Sequence, residues 1–111
     1  MEVSTMGWQS TTKTDPERQV EKYLVDKVHN LGGIAWKFTS PGTAGVPDRI
    51  VALNGMICFV ELKRPVGGRT SDMQKWRIKQ LHDQGQHAYV LKNKDQINYL
   101  IEHLMRGEYP A

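Results

Sequence analysis

Three residues near the middle of the chain have side chains that could do chemistry together: Asp48, Glu61 and Lys63. Between the two acids run two apolar stretches split by Asn54-Gly55, the strongest short-range signal for a β-hairpin. With those two as the turn residues, Leu53 pairs with Met56, Val51 with Cys58 and Arg49 with Val60. Asp48 then falls directly opposite Glu61, and strand alternation puts Lys63 on the same face. Opposed residues on neighbouring strands have Cβ atoms about 4.5–5.5 Å apart, and like charges at that separation destabilise a sheet. A divalent cation would relieve the repulsion. Mg²⁺ takes one or two carboxylates, keeps several waters and completes its octahedron with phosphate oxygens; the Leu62 backbone carbonyl, between Glu61 and Lys63, could add a further oxygen. Such an ion lowers the pKa of a bound water and polarises a phosphoryl group. Lys63 could orient that water or stabilise charge developing on phosphate. The same residues could equally form an ordinary sheet-edge salt bridge, Asp48–Lys63 or Glu61–Lys63, because a register set by a turn can slip. The residues alone leave both readings open.

The elements that would hold these groups are legible from caps and periodicity. Thr14 and Glu17 have capping-box spacing and Pro16 suits a first turn, which predicts a helix running to about Leu31, where Gly32-Gly33 end it. Residues 34–39 alternate as a strand, and Ser40 to Pro47 is a Pro/Gly loop. Strands over 48–53 and 56–63 make the hairpin. Ser71 and Gln74 form a second capping box, opening a helix to about Gln84 with Gly85 after it. His87–Leu91 reads as a strand. A last helix carries Ile97, Leu100, Ile101, Leu104 and Met105 at helical spacing, with Gly107 closing it. The order is α-β-β-β-α-β-α, an α/β fold. The hairpin is apolar on both faces, so its sheet should be covered by helices on both sides. Residues 1–13 are polar and aperiodic and read as a flexible tail; residues 14–111 read as a single domain.

In the first helix Val20, Leu24, Val25, Val28 and Leu31 share one arc, and Glu21 falls inside it. A carboxylate on a buried face needs a partner, and Glu21 is expected to point at the Asp48/Glu61 pair as another metal ligand. Glu17 lies on a similar heading but has a structural job in the capping box. Trp76, at helical spacing from Met73, reads as core.

The chain has 111 residues and a net charge of +3. The basic excess is local: residues 61–80 hold Lys63, Arg64, Arg69, Lys75, Arg77 and Lys79 against only Glu61 and Asp72. Phosphate is the natural partner of such a patch, although a solvated helix face would look the same. One cysteine, Cys58, excludes an internal disulfide, and it lies in an apolar run where a free Cys behaves as a small hydrophobe. The four histidines lack metal-ligand spacing. No apolar run is long enough to span a membrane, and the N-terminus lacks the order of a signal peptide. A reducing, cytoplasmic setting, in a bacterial or phage-infected host cell, fits these features.

Gly45-Val46-Pro47-Asp48-Arg49 followed by Phe59-Val60-Glu61-Leu62-Lys63-Arg64-Pro65 resembles the PD-(D/E)xK nuclease signature, and within it the VRR-NUC family, particularly its small stand-alone viral and bacterial members. Lys37-Phe38-x-Ser40-Pro41-Gly42 before the motif and Gln74 after it extend the resemblance over about residues 17–92. It implies a restriction-endonuclease-like core with a central mixed sheet and Mg²⁺- or Mn²⁺-dependent hydrolysis of DNA phosphodiesters, with branched, flap or nicked DNA as substrate. It implies Asp48 and Glu61 as metal ligands, Lys63 as catalytic lysine, Glu21 as the helical acid, Gln74 near the active site, and a homodimer. Lys37, Ser40, Arg49, Arg64, Arg69, Lys75 and Arg77 are candidate DNA contacts. A non-catalytic nucleic-acid-binding module retaining the fold is the competing reading.

Overall fold

The computed structural model describes residues 16–111; the expected tail over residues 1–13 and the cap at Thr14 lie outside them. Helix α1 (Pro16–Asn30) leads into strands β1 (Ile34–Lys37), β2 (Arg49–Leu53) and β3 (Met56–Leu62). Helix α2 (Asp72–Asp83), strand β4 (Ala88–Leu91) and helix α3 (Lys94–Met105) follow. The order is the predicted α-β-β-β-α-β-α. The strands form one sheet in the order β1-β2-β3-β4, antiparallel through β3, with β4 parallel to β3. A sheet with both pairings is mixed, and the β3–α2–β4 connection is the long crossover that a parallel pair requires.

The hairpin register is the one the turn dictates, from Leu53↔Met56 through Arg49↔Val60. Asn54 has φ 54° and Gly55 φ 76°, the two left-handed residues of a type I′ turn. The Asn54 side-chain amide also donates to the Leu104 and Met105 carbonyls at the end of α3, at 3.1 and 3.2 Å, where helix carbonyls run out of intrahelical donors.

One face of the sheet holds the core. Val20, Leu24 and Val28 of α1 and Ile97, Leu100, Ile101 and Leu104 of α3 pack on Val51, Leu53, Cys58, Val60 and Leu62. Their spacing is three or four along the helices and two along the strands, as a core face requires. Burial pushes the Cys58 thiol up to about 12, so it stays protonated and packs as a hydrophobe. On the other face lies α2, whose ends are fixed by polar groups. Ser71 accepts from the Gln74 N–H and the Gln74 side chain accepts from the Ser71 N–H, a complete capping box. No residue of α2 is buried. Trp76 is 52% and Met73 46% exposed, which corrects the reading of Trp76 as core. Ile34, Trp36 and Ile57 on this face are exposed as well, so α2 covers only the β4 side of it.

Candidate active site

The site is built where β2 begins and β3 ends. Asp48 directly precedes β2, and its carbonyl accepts from the Phe38 N–H at 2.7 Å. The Asp48 carboxylate accepts from the Leu62 N–H at 3.0 Å. Within one strand residue the N–H and C=O point to the same edge, so the Leu62 carbonyl faces the Asp48 side of β3. Loop 40–47 brings Asp48 in by a close approach at Gly45: φ is 85°, and a Cβ there would lie 2.6 Å from Met73 Cγ of α2. Glycine meets both demands.

Glu61 is 2% exposed, the one polar or charged residue in the buried set of the described residues. Gln74 Nε2 donates to Glu61 Oε2 at 2.7 Å, and Lys63 Nζ lies 3.1 Å from the same oxygen. Gln74 therefore serves both its predicted positions: its carbonyl completes the α2 cap and its amide reaches the site. Glu61 Oε1 is buried and has no hydrogen-bond partner among the described residues. Burial raises the Glu61 pKa above the usual carboxylate range, and the nearby Asp48 charge raises it further. The Lys63 hydrogen bond and charge oppose both effects, and the Glu17 charge adds a smaller rise. A buried anion that faces another anion and keeps one oxygen free lacks positive charge.

That shortage is what a divalent cation would fill, and two carboxylates beside a backbone carbonyl are oxygen donors suited to Mg²⁺ or Mn²⁺. Among the described residues no three His, Cys, Asp or Glu side chains cluster closely enough to hold a metal by themselves. The oxygens available to such an ion would be those of the two carboxylates and the Leu62 main chain, with water and phosphate to complete its shell.

Other expected residues lie elsewhere. Glu21 does not join the pair; its carboxylate accepts from Arg49, at 2.8 Å to Nη2 and 3.2 Å to Nε. That ion pair occupies both groups, one expected at the metal and the other at DNA. The partner that the buried heading of Glu21 demanded is Arg49. Glu17, one turn earlier, is the helical acid whose charge reaches Glu61. Its capping-box spacing from Thr14 explains Glu17 locally and so masks this second role in the sequence. Arg77 donates to the Ala44 carbonyl at 2.8 Å and to Gln80, which ties α2 to loop 40–47. Lys37, Arg64, Arg69 and Lys75 are exposed and Ser40 is half-buried; none contacts the carboxylate pair.

A mixed four-stranded sheet with helices on both faces and this strand order is the core of the restriction-endonuclease-like nucleases. No protein-family model matches the chain. It is 48% identical over 80 residues, 71% of this chain and 85% of the other, to a protein of Acyrthosiphon pisum secondary endosymbiont phage 1 named "Putative nuclease p44". A solved structure described as a VRR_NUC domain superposes with a TM-score of 0.74 at 31% identity, covering 79% of this chain and 96% of that one. The chain belongs to the VRR-NUC family of nucleases.

Proposed function

We propose that the chain is a divalent-metal-dependent DNA endonuclease that hydrolyses phosphodiester bonds and selects structured DNA: four-way junctions, flaps or nicked duplex. It works through residues 14–111 as a single domain, as a homodimer, in the cytoplasm of a bacterial or phage-infected host cell. The observation that carries the metal-dependent reading is the buried, unpartnered Glu61 Oε1 beside Asp48. A protein gains nothing from two apposed carboxylates at a DNA surface unless a cation joins them, since alone they repel phosphate.

Asp48, Glu61 and the Leu62 carbonyl would hold Mg²⁺ or Mn²⁺. When bound, the ion supplies a water of lowered pKa and a Lewis acid for the phosphoryl oxygen. Gln74 fixes Glu61 by holding Oε2, which leaves Oε1 turned to the site. The Leu62 N–H holds one Asp48 oxygen. Lys63, 14% exposed, orients the attacking water and stabilises charge that develops on the phosphate. Glu17 contributes negative charge from the first turn of α1. Arg64, Arg69 and Lys75 track the DNA backbone from the exposed loop and the outer face of α2, with Lys37 and Ser40 on the opposite flank.

The test is cleavage of labelled four-way junction, flap, nicked, duplex and single-stranded DNA with Mg²⁺, Mn²⁺ or EDTA. Asp48→Asn is expected to abolish cutting, and Lys63→Ala to lower it by about 10²–10³-fold, both with wild-type circular dichroism. Tight, salt-sensitive binding without cutting in any metal would replace this reading with the non-catalytic binding module. Sedimentation of the same protein tests the homodimer.

A further inference from the structure

Arg49 follows Asp48 in the chain, yet the two side chains leave opposite faces of the sheet. Asp48 faces Glu61, and Arg49 turns toward α1. There its guanidinium donates through Nε and Nη2 to Glu21 Oε2, at 3.2 and 2.8 Å, and through Nη1 to the Ala35 carbonyl at 2.9 Å. The Arg49 and Glu21 side chains are 16% and 27% exposed. One planar fork thus joins α1, β1 and β2 at the residue next to Asp48.

Two parts of the site depend on that junction. Asp48 lies just outside the β2 ladder, and besides its Phe38 and Leu62 hydrogen bonds its placement follows from where residue 49 is anchored. Glu17 precedes Glu21 by four residues and so lies on the same face of α1. Tying Glu21 down fixes the rotation of the first turn, and with it the Glu17 charge that acts on Glu61.

We infer that Arg49 and Glu21 form a positioning pair for the metal-binding carboxylates, acting from the far face of the sheet and touching neither DNA nor metal. The inference rests on the nuclease reading above. It calls for arginine in particular, because a lysine ammonium lacks the rigid fork that holds two acceptors from different elements in one plane.

The test compares Arg49→Lys, Arg49→Met and Glu21→Gln with wild type and Lys63→Ala, each as the full chain. Thermal unfolding, Mn²⁺ affinity by calorimetry, kcat and KM on a DNA junction, and the salt dependence of junction binding are measured. Arg49→Lys is expected to fold while losing about 10–100-fold in Mn²⁺ affinity and kcat, the usual effect of removing a group that orients a metal ligand. KM and the salt slope should match wild type. Glu21→Gln, which keeps an acceptor for the guanidinium, should lose less, and it carries the test if the Arg49 variants fail to fold. A lower melting temperature with wild-type kcat and Mn²⁺ affinity would reduce the pair to a fold contact and overturn the inference. A raised KM with a salt slope smaller by about one would make Arg49 a DNA contact and overturn it too. Failure of the nuclease reading looks different: wild type and Lys63→Ala would be equally inactive on every substrate. If wild type then also bound no Mn²⁺, the inference would fall with that reading.

Discussion

Glu61 is where electrostatics and function pull in opposite directions. Its pKa is raised, by burial first and by Asp48 second, so the folded chain binds a proton at Glu61 more readily than the unfolded chain does. Stability linked to this group is therefore highest below the unfolded carboxylate range and falls as pH rises through the folded pKa. In metal-free protein Glu61→Gln should raise the melting temperature at pH 7, with the gain shrinking as pH falls toward 4; an equal or lower melting temperature at pH 7 would contradict the direction of the shift. Added Mn²⁺ should raise the wild-type melting temperature and leave Glu61→Gln nearly unchanged, since only an ion that binds the folded state stabilises it. At this scale the sequence was legible where a turn set the register: Asn54-Gly55 fixes the pairing as far as Arg49↔Val60, which brings Asp48 beside Glu61 and Leu62. It was less legible for Glu21. Helical periodicity places Glu17 and Glu21 on nearly the same heading, and which of them meets the strand ends depends on how far α1 slides along the sheet. That offset is set by tertiary contacts such as Arg49 with Glu21, to which a 3.6-residue period is blind.

Among the elements α2 stands apart. It carries Gln74 into the site, yet none of its residues is buried; the Ser71 box holds its own first turn, and polar contacts tie it to the rest of the molecule, Gln74 on Glu61 and Arg77 on Ala44. Ser71→Ala should therefore cost about 0.5–2 kcal/mol of local stability. Hydrogen exchange should quicken across Asp72–Asp83 while the amides of α1 and α3 stay protected; unchanged protection in α2 would mean that packing carries the helix. Gly45→Ala should loosen the same region from the other side, through both its φ of 85° and the approach of Met73. The existence of α2 was readable from Ser71-x-x-Gln74, because capping is local chemistry. Its exposure was not, because spacing reports that Met73 and Trp76 share a face but not whether anything lies against that face.

For the molecule as a whole, the local basic excess bears on how DNA would be held. Lys79 is paired with Asp83 at 2.8 Å and Arg77 is turned to a backbone carbonyl, which leaves, besides Arg64, Arg69 and Lys75 as exposed members of the patch with no acidic partner among the described residues. Replacing both by Gln in a Lys63→Ala background should lower the slope of log K against log salt by about 1.8, two phosphates at roughly 0.9 each. An unchanged slope would place the DNA on another surface. Overall architecture was the most legible level of all, because caps, an Asn-Gly turn and alternating strands agree on one arrangement.

The clamp between Asn54 and the end of α3 bears on the birth of the enzyme. Asp48, Glu61 and Lys63 are all translated by residue 63, yet Lys63 takes its ladder partner from Leu91 and the hairpin tip is tied down by Leu104, Met105 and Tyr109. Residues as far as 105 must therefore be made before both ends of the hairpin are held. A fragment that stops after Lys63 would carry the full Asp48, Glu61 and Lys63 motif without the contacts that hold the hairpin at either end.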